Sequence, residues 1–120
     1  GWEAKLPSWA PREQVATLLG ARSREVVFTS GATEAIATAV WGGAARAAAR
    51  TGAPVHQVVT AVEHSAVRHA AERSGPVTVV PVDGTGRADP QAVLDAIRAD
   101  TAVVHVQWGN HEVGTTQPVA

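Results

Sequence analysis

Cysteine and methionine are both missing from the 120 residues. Without a thiol the chain has no disulfide framework, no thiolate metal site and no thiol nucleophile. An excess of charge of one sign is missing too. Ten basic residues stand against 11 acidic ones for a formal net charge of −1, with no basic stripe to neutralise a phosphate backbone, so nucleic acid is not an expected partner. Long apolar runs are absent: residues 26–28 and 101–106 fall far short of the roughly 20 that cross a bilayer. The opening Gly1-Trp2-Glu3-Ala4-Lys5 has no apolar stretch of signal-peptide type. No membrane partner is expected, and a cytoplasmic location is. A start without methionine and a stop at Gln117-Pro118-Val119-Ala120, just after a polar loop, suggest a piece of a longer protein.

What is present suits a folded domain. Hydrophobic residues make up 45% of the chain and the mean hydropathy is −0.01, which indicates a soluble globular sequence with one core. Val15, Leu18 and Leu19 have helical spacing after Pro11, and Gly20 stands where that helix would end. Glu25-Val26-Val27-Phe28 reads as a brief buried strand, closed by Thr29-Ser30-Gly31. Residues 32–50 are alanine-rich, with Ile36, Val40, Ala44 and Ala47 on one face, and predict a long helix.

The alternation continues with a strand at 56–61, a helix at 65–73 and a strand at 77–82. After the turn at Asp83-Gly84-Thr85-Gly86, Asp89-Pro90 supplies a cap and a first-position proline for a helix to about Arg98. Residues 101–107 close the pattern as a strand. Strand and helix in alternation argue for a three-layer α/β fold with a largely parallel sheet.

Ligands of such sheets lie beyond the carboxyl ends of the strands, so the residues following each strand carry the interest. These are Thr29-Ser30-Gly31-Ala32-Thr33, Glu63-His64 and Asn110-His111-Glu112. In the first group, Gly31 permits close backbone approach, helix-start amides point outward, and Ser30 and Thr33 add hydroxyl donors. That suits a phosphate, although an ordinary capped turn accounts for the same residues. His64 can stack on a flat cofactor, act as acid or base, or bond locally. His56, His69 and His105 read as structural or solvent-facing.

No histidine pair has the helical spacing of a zinc motif, and Asp83-Gly84-Thr85-Gly86-Arg87 fails the calcium-loop pattern, so no metal site is expected. Gly84-Thr85-Gly86 lacks the third glycine of a dinucleotide fingerprint, and no Gly-Lys-Ser/Thr of a P-loop exists.

Three motifs converge on one family. Glu25-Val26-Val27-Phe28-Thr29-Ser30-Gly31-Ala32-Thr33-Glu34 closely resembles the phosphate-binding stretch of cysteine desulfurases. These belong to the class V aminotransferase group of fold type I pyridoxal-phosphate enzymes. Val62-Glu63-His64-Ser65-Ala66-Val67 is similar to the segment that supplies the family's ring-stacking histidine. Asn110-His111-Glu112-Val113-Gly114-Thr115-Thr116-Gln117-Pro118 is similar to its Asn-Asn-Glu-x-Gly loop. The resemblance runs from about Pro11 onward, with residues 1–10 a poorly matched lead-in to a partial large domain covering 1–120.

It implies that the amides of Gly31 and Ala32, with Thr33, hold the phosphate of pyridoxal 5′-phosphate. His64 would stack on the pyridine ring and assist proton transfer, and Glu112 would brace the loop. Asn110 aligns with the family's first asparagine. His111 takes the place of the second, which bonds the cofactor's phenolic oxygen; imidazole can donate that bond as well.

The implied parent removes sulfur from L-cysteine to give L-alanine and an enzyme persulfide. It works as a homodimer, with a sulfur-acceptor protein, for iron–sulfur cluster or thio-cofactor synthesis. The family's Schiff-base lysine and persulfide-forming cysteine have no counterpart here, since Lys5 matches no catalytic motif, so the chain by itself is expected to be inactive. The alternative is a non-catalytic stand-alone domain of the same fold that binds a phosphate compound or a partner.

Overall fold

The computed structural model describes residues 9–112 and 114–119, which leaves Lys5 and most of the lead-in outside the described residues. The chain forms two compact units, Gly1–Ala35 and Ile36–Ala120, with the boundary inside a helix.

In the first unit, α1 spans Trp9–Leu19 and buries Ala16. Gly20, at φ +66°, ends it as the sequence predicts. The Ala21 amide reaches back to the Ala16 carbonyl at 2.8 Å and that of Gly20 to Thr17 at 3.3 Å, the pattern of a glycine-closed helix end.

The buried strand expected at Glu25–Phe28 is not there. The Glu25 carboxylate accepts from the Arg22 amide at 2.7 Å and from its guanidinium at 2.8 Å, and this reciprocal pairing curls Ser23–Glu25 into a 3-10 turn. Val26 is extended at its start, but among the described residues no ladder includes residues 26–28. Val27 and Phe28 are 73% and 50% exposed. β-branched composition favours a pleated, half-buried surface, and without a partner strand it cannot make one.

Helix α2, Ala32–Thr51, crosses into the second unit and buries Val40 and Ala44 of the expected face. Then follow β1 (His56–Thr60), α3 (Ser65–Ser74), β2 (Val77–Val80), α4 (Pro90–Ala96) and β3 (Thr101–His105). The strands are shorter than their apolar runs: Val82 leaves β2 to bridge Ala88, and Gln107 lies beyond β3. The Asp89 carboxylate caps α4 through the Gln91 amide at 3.0 Å, with Pro90 at the first position, but the helix stops at Ala96, two residues before Arg98.

All three strands are parallel in the order β2-β1-β3, so β1 is central. Alternation sends Val59 and Val77 to one face, where they pack with Val40 and Ile36 of α2 and with Val67, Ala70 and Ala71 of α3. Val104, paired with Val58, faces the other way and lines a groove with Val93 and Leu94 of α4. Helices on both faces of a parallel sheet give the α/β layering that the sequence predicts.

Every residue of β1 is buried, including three polar ones. The His56 ring spans the sheet, with Nδ1 2.6 Å from the Thr101 hydroxyl on β3 and Nε2 2.7 Å from the Thr78 hydroxyl on β2. A register shift between His56 and Gln57 on the β3 side places Thr101 opposite His56. Gln57 accepts from His105 Nε2 at 2.8 Å. His56 and His105 are therefore structural groups.

Burial, with Arg98 nearby, lowers the pKa of His56, so the native state favours the neutral ring. The unfolded chain then binds more protons, and stability present above the ordinary histidine pKa is lost as pH falls from about 6.5 toward the lower folded value. Burial lowers the pKa of His105 as well and adds in the same direction. Urea unfolding should show a midpoint that falls between pH 7 and pH 5. His56→Leu should flatten part of that slope while lowering stability at pH 7 by about 1–3 kcal/mol, since the half-buried Thr78 and Thr101 hydroxyls each lose one hydrogen bond, Thr101 keeping that from the Arg98 amide. An unchanged slope in that variant would remove His56 from the account.

Candidate active site

The carboxyl ends of β1, β2 and β3 open onto one cleft of about 790 Å³, a volume suited to a small organic ligand. Its walls come from the three following segments: 61–65 after β1, 83–86 after β2, and Gln107 with Asn110–Glu112 and Thr115 after β3. Parallel strands place these segments at one edge, which is why residues almost 50 positions apart in the chain meet there.

His64 is the N-cap of α3, and its Nδ1 accepts from the Ala66 amide at 3.1 Å. In the neutral ring the proton then resides on Nε2. The His111 ring stands 6.5 Å from it between centroids, at an interplanar angle of 32°. His111 Nε2 lies 3.8 Å from the Glu112 carboxylate, and both side chains are exposed.

Asn110 ties the loop down. Its Nδ2 donates to the Val62 carbonyl and to Gln107 Oε1, both at 3.3 Å, while its Oδ1 accepts from the Glu112 amide at 2.8 Å. Gly114 at φ +72° lets the loop turn back, with its amide on the Asn110 carbonyl at 2.9 Å.

Other wall residues have a role that shows only in the fold. Glu63 accepts from the Thr60 hydroxyl and from the Gln107 amide, the latter at 2.9 Å, and so links the exits of β1 and β3. The 83–86 turn is held by Asp83 Oδ1, which accepts from the Thr85 amide at 2.8 Å, the Thr85 hydroxyl at 2.6 Å and the Arg87 amide at 3.1 Å. The Thr85 hydroxyl, and after it the Arg87 and Thr85 amides, lower the pKa of Asp83. The sequence reads this segment as a turn, which it is; that it walls a cleft follows from the fold.

The structure brings His64, Asn110 and His111 together. The other candidates, Gly31, Ala32 and Thr33, stand at the start of α2 and are exposed. Just before them the Thr29 hydroxyl donates to the Gly31 carbonyl at 2.9 Å, and the Glu34 carboxylate takes both the amide and the hydroxyl of Ser30, which lowers its pKa. Ser30 is thus engaged with Glu34, and the outward amides of the helix start are the groups that can meet an anion.

The aminotransferase class-V family model matches residues 1–120, and the chain belongs to that family. Its relatives within the family include cysteine desulfurases. It is 43% identical over 121 residues to cysteine desulfurase IscS of Anaeromyxobacter dehalogenans, covering all of this chain and 30% of that protein. To the cysteine desulfurase of Homo sapiens it is 38% identical over 121 residues, covering all of this chain and 26% of that one. The chain thus spans less than a third of the length of these curated relatives.

Among solved structures, DndA from Streptomyces lividans matches at a TM-score of 0.84 and 36% identity, over 100% of this chain and 34% of that one. SspA in complex with cysteine matches at 0.80 and 30%, over 97% and 34%. The α/β fold expected from the resemblance is the fold these proteins share.

The hydrogen bonds of Asn110 identify it as the peg of the 108–117 loop. Asn110→Ala should make the Glu112 and Gly114 amides exchange with solvent about two- to tenfold faster while the amides of β1 keep their protection, because losing one such bond costs about 0.5–1.5 kcal/mol locally. Equal exchange rates in the two proteins would mean that the backbone alone holds the loop.

Proposed function

We propose that this chain is part of a cysteine desulfurase whose cleft at the sheet edge takes pyridoxal 5′-phosphate. The observation that carries the reading is the meeting of His64, Asn110 and His111 in one cleft beyond the carboxyl ends of three parallel strands. Similarity to cysteine desulfurases along the whole chain supports it, as does a structural relative described in complex with cysteine.

The residues fit such a ligand. The cleft has the volume, an imidazole at its wall can lie on a flat ring, and the lining offers hydrogen-bonding groups. When bound, the cofactor supplies an electron sink for bonds made to the substrate's α carbon.

The chain's own residues then bind and orient. His64 stacks on the ring, and its Nε2, with Nδ1 engaged by the Ala66 amide, is the atom that gives or takes a proton. His111 donates to the phenolic oxygen. Asn110 holds the loop that carries His111, with the Glu112 amide tied to its Oδ1. In the first unit, the Gly31 and Ala32 amides and Thr33 are assigned to the phosphate.

In this reading the whole enzyme acts as a homodimer on L-cysteine, gives L-alanine and passes the sulfur to an acceptor protein. These 120 residues, with no cysteine and with Lys5 as their one lysine, do not turn over by themselves.

A spectroscopic titration of the purified chain with pyridoxal phosphate tests this, followed by borohydride reduction and mass mapping. Saturable binding without a lysine adduct is expected. His64→Ala should weaken it about tenfold, the equivalent of one lost ring-stacking contact. An adduct on Lys5 would overturn the inactivity of the chain, and no binding at all would overturn the cofactor site.

A further inference from the structure

Outside β1, Gln117 is the one buried polar side chain among the described residues, at 4% exposure, and the cofactor reading gives it no role. Both ends of its amide are bonded. Nε2 donates to the Gly86 carbonyl at 2.8 Å, and Oε1 accepts from the Ala88 amide at 2.9 Å. Both partners belong to the 83–88 turn. The Gln117 backbone belongs to the other wall, where its amide donates to the Trp108 carbonyl at 2.8 Å.

Each wall is stiff within itself. The turn is cross-linked by Asp83, whose amide also meets the Arg87 carbonyl at 2.9 Å. The loop is closed by the Asn110 amide on the Thr115 carbonyl at 2.9 Å and by the bridge between Gly109 and Thr116. Two stiff pieces are joined by the Gln117 amide, with the Thr115 hydroxyl on the Thr85 carbonyl as a second tie in a less buried place.

We infer that Gln117 is a positioning residue of the cleft: its amide fixes the 108–117 loop on the 83–88 turn and so sets His111 opposite His64. It acts through His111 and touches no ligand. Its effect on cofactor affinity rests on the reading under Proposed function. The carboxamide is the group this place requires, because it presents a donor and an acceptor side by side. Ionised glutamate has the same shape but no donor, and turns an oxygen toward the Gly86 carbonyl; protonated, it regains the donor.

The test compares Gln117→Glu, Gln117→Met and a core variant of similar stability loss, Val40→Ala, in the whole chain. The readouts are the imidazole C–H NMR signals of His64 and His111 without ligand, and the affinity for pyridoxal phosphate. In Gln117→Glu the His111 signal should move and affinity should fall about tenfold at pH 7, the equivalent of one buried hydrogen bond. Both differences from wild type should narrow as acid protonates the new carboxyl. Gln117→Met should show the same losses without that recovery, and Val40→Ala should show neither.

Unchanged His111 signals in both Gln117 variants, or equal changes in Val40→Ala, would overturn the inference. Should the variants fail to fold, amide exchange in the unmodified chain decides. The Ala88 amide is expected to be protected by the Gln117 side chain, and exchange at the rate of an open loop would overturn the proposal. Because the imidazole signals are read without ligand, a wild-type chain that takes up no pyridoxal phosphate overturns the cofactor reading alone, and the signals still decide Gln117.

Discussion

No atom of β1 meets solvent, yet the strand carries histidine, glutamine and threonine side chains. Water cannot satisfy those groups, and an unpaired buried polar group costs about 1–3 kcal/mol, so their partners must come from neighbouring elements. His56 finds hydroxyls on both flanking strands, Gln57 Oε1 finds His105, and Thr60 finds Glu63, while Gln57 Nε2 alone among these groups has no partner among the described residues. An apolar strand can slide against its neighbours at modest cost, but one whose imidazole needs Thr78 on one side and Thr101 on the other has a single acceptable register. The rest of the second unit depends on that register.

One consequence lies at the other end of the strands. With the register fixed, the segments after β1, β2 and β3 leave the sheet at defined places, and the bonds of Thr60 and the Gln107 amide to Glu63 carry the alignment past the last residue pairs. The loops there have little apolar packing. They are shaped by polar bonds instead: Asp83 within its turn, Asn110 within its loop, and Gln117 between the two. A cleft built this way keeps its walls in place while leaving the two imidazoles exposed.

Relatives in the class V family supply the frame in which those imidazoles have meaning. His64 sits at a helix start where serine, threonine or aspartate is the more usual cap, and taking the cap fixes which ring nitrogen carries the proton. A residue placed by its own helix needs no second group to orient it. His111 is placed differently, by a loop that must itself be held.

Much of the fold could be read directly from the sequence. The alanine-rich stripe of α2, Gly20 at the end of α1, and the Asp89-Pro90 start of α4 are local signals whose physics lies within a turn or two of chain. The candidate residues His64, Asn110 and His111 were legible because they follow strand-like runs and because their motifs resemble a known family. The sequence misled at Glu25–Phe28, where β-branched residues have the composition of a strand but Glu25 folds back on Arg22 and no partner edge is present among the described residues. It was silent on Gln117, whose burial and two bonds join residues 29 and 31 positions away. Local propensity and capping act between near neighbours and are written in the sequence. Strand partnership, burial of a polar group and the meeting of loops at one sheet edge depend on contacts between distant segments, and those the tertiary structure alone decided.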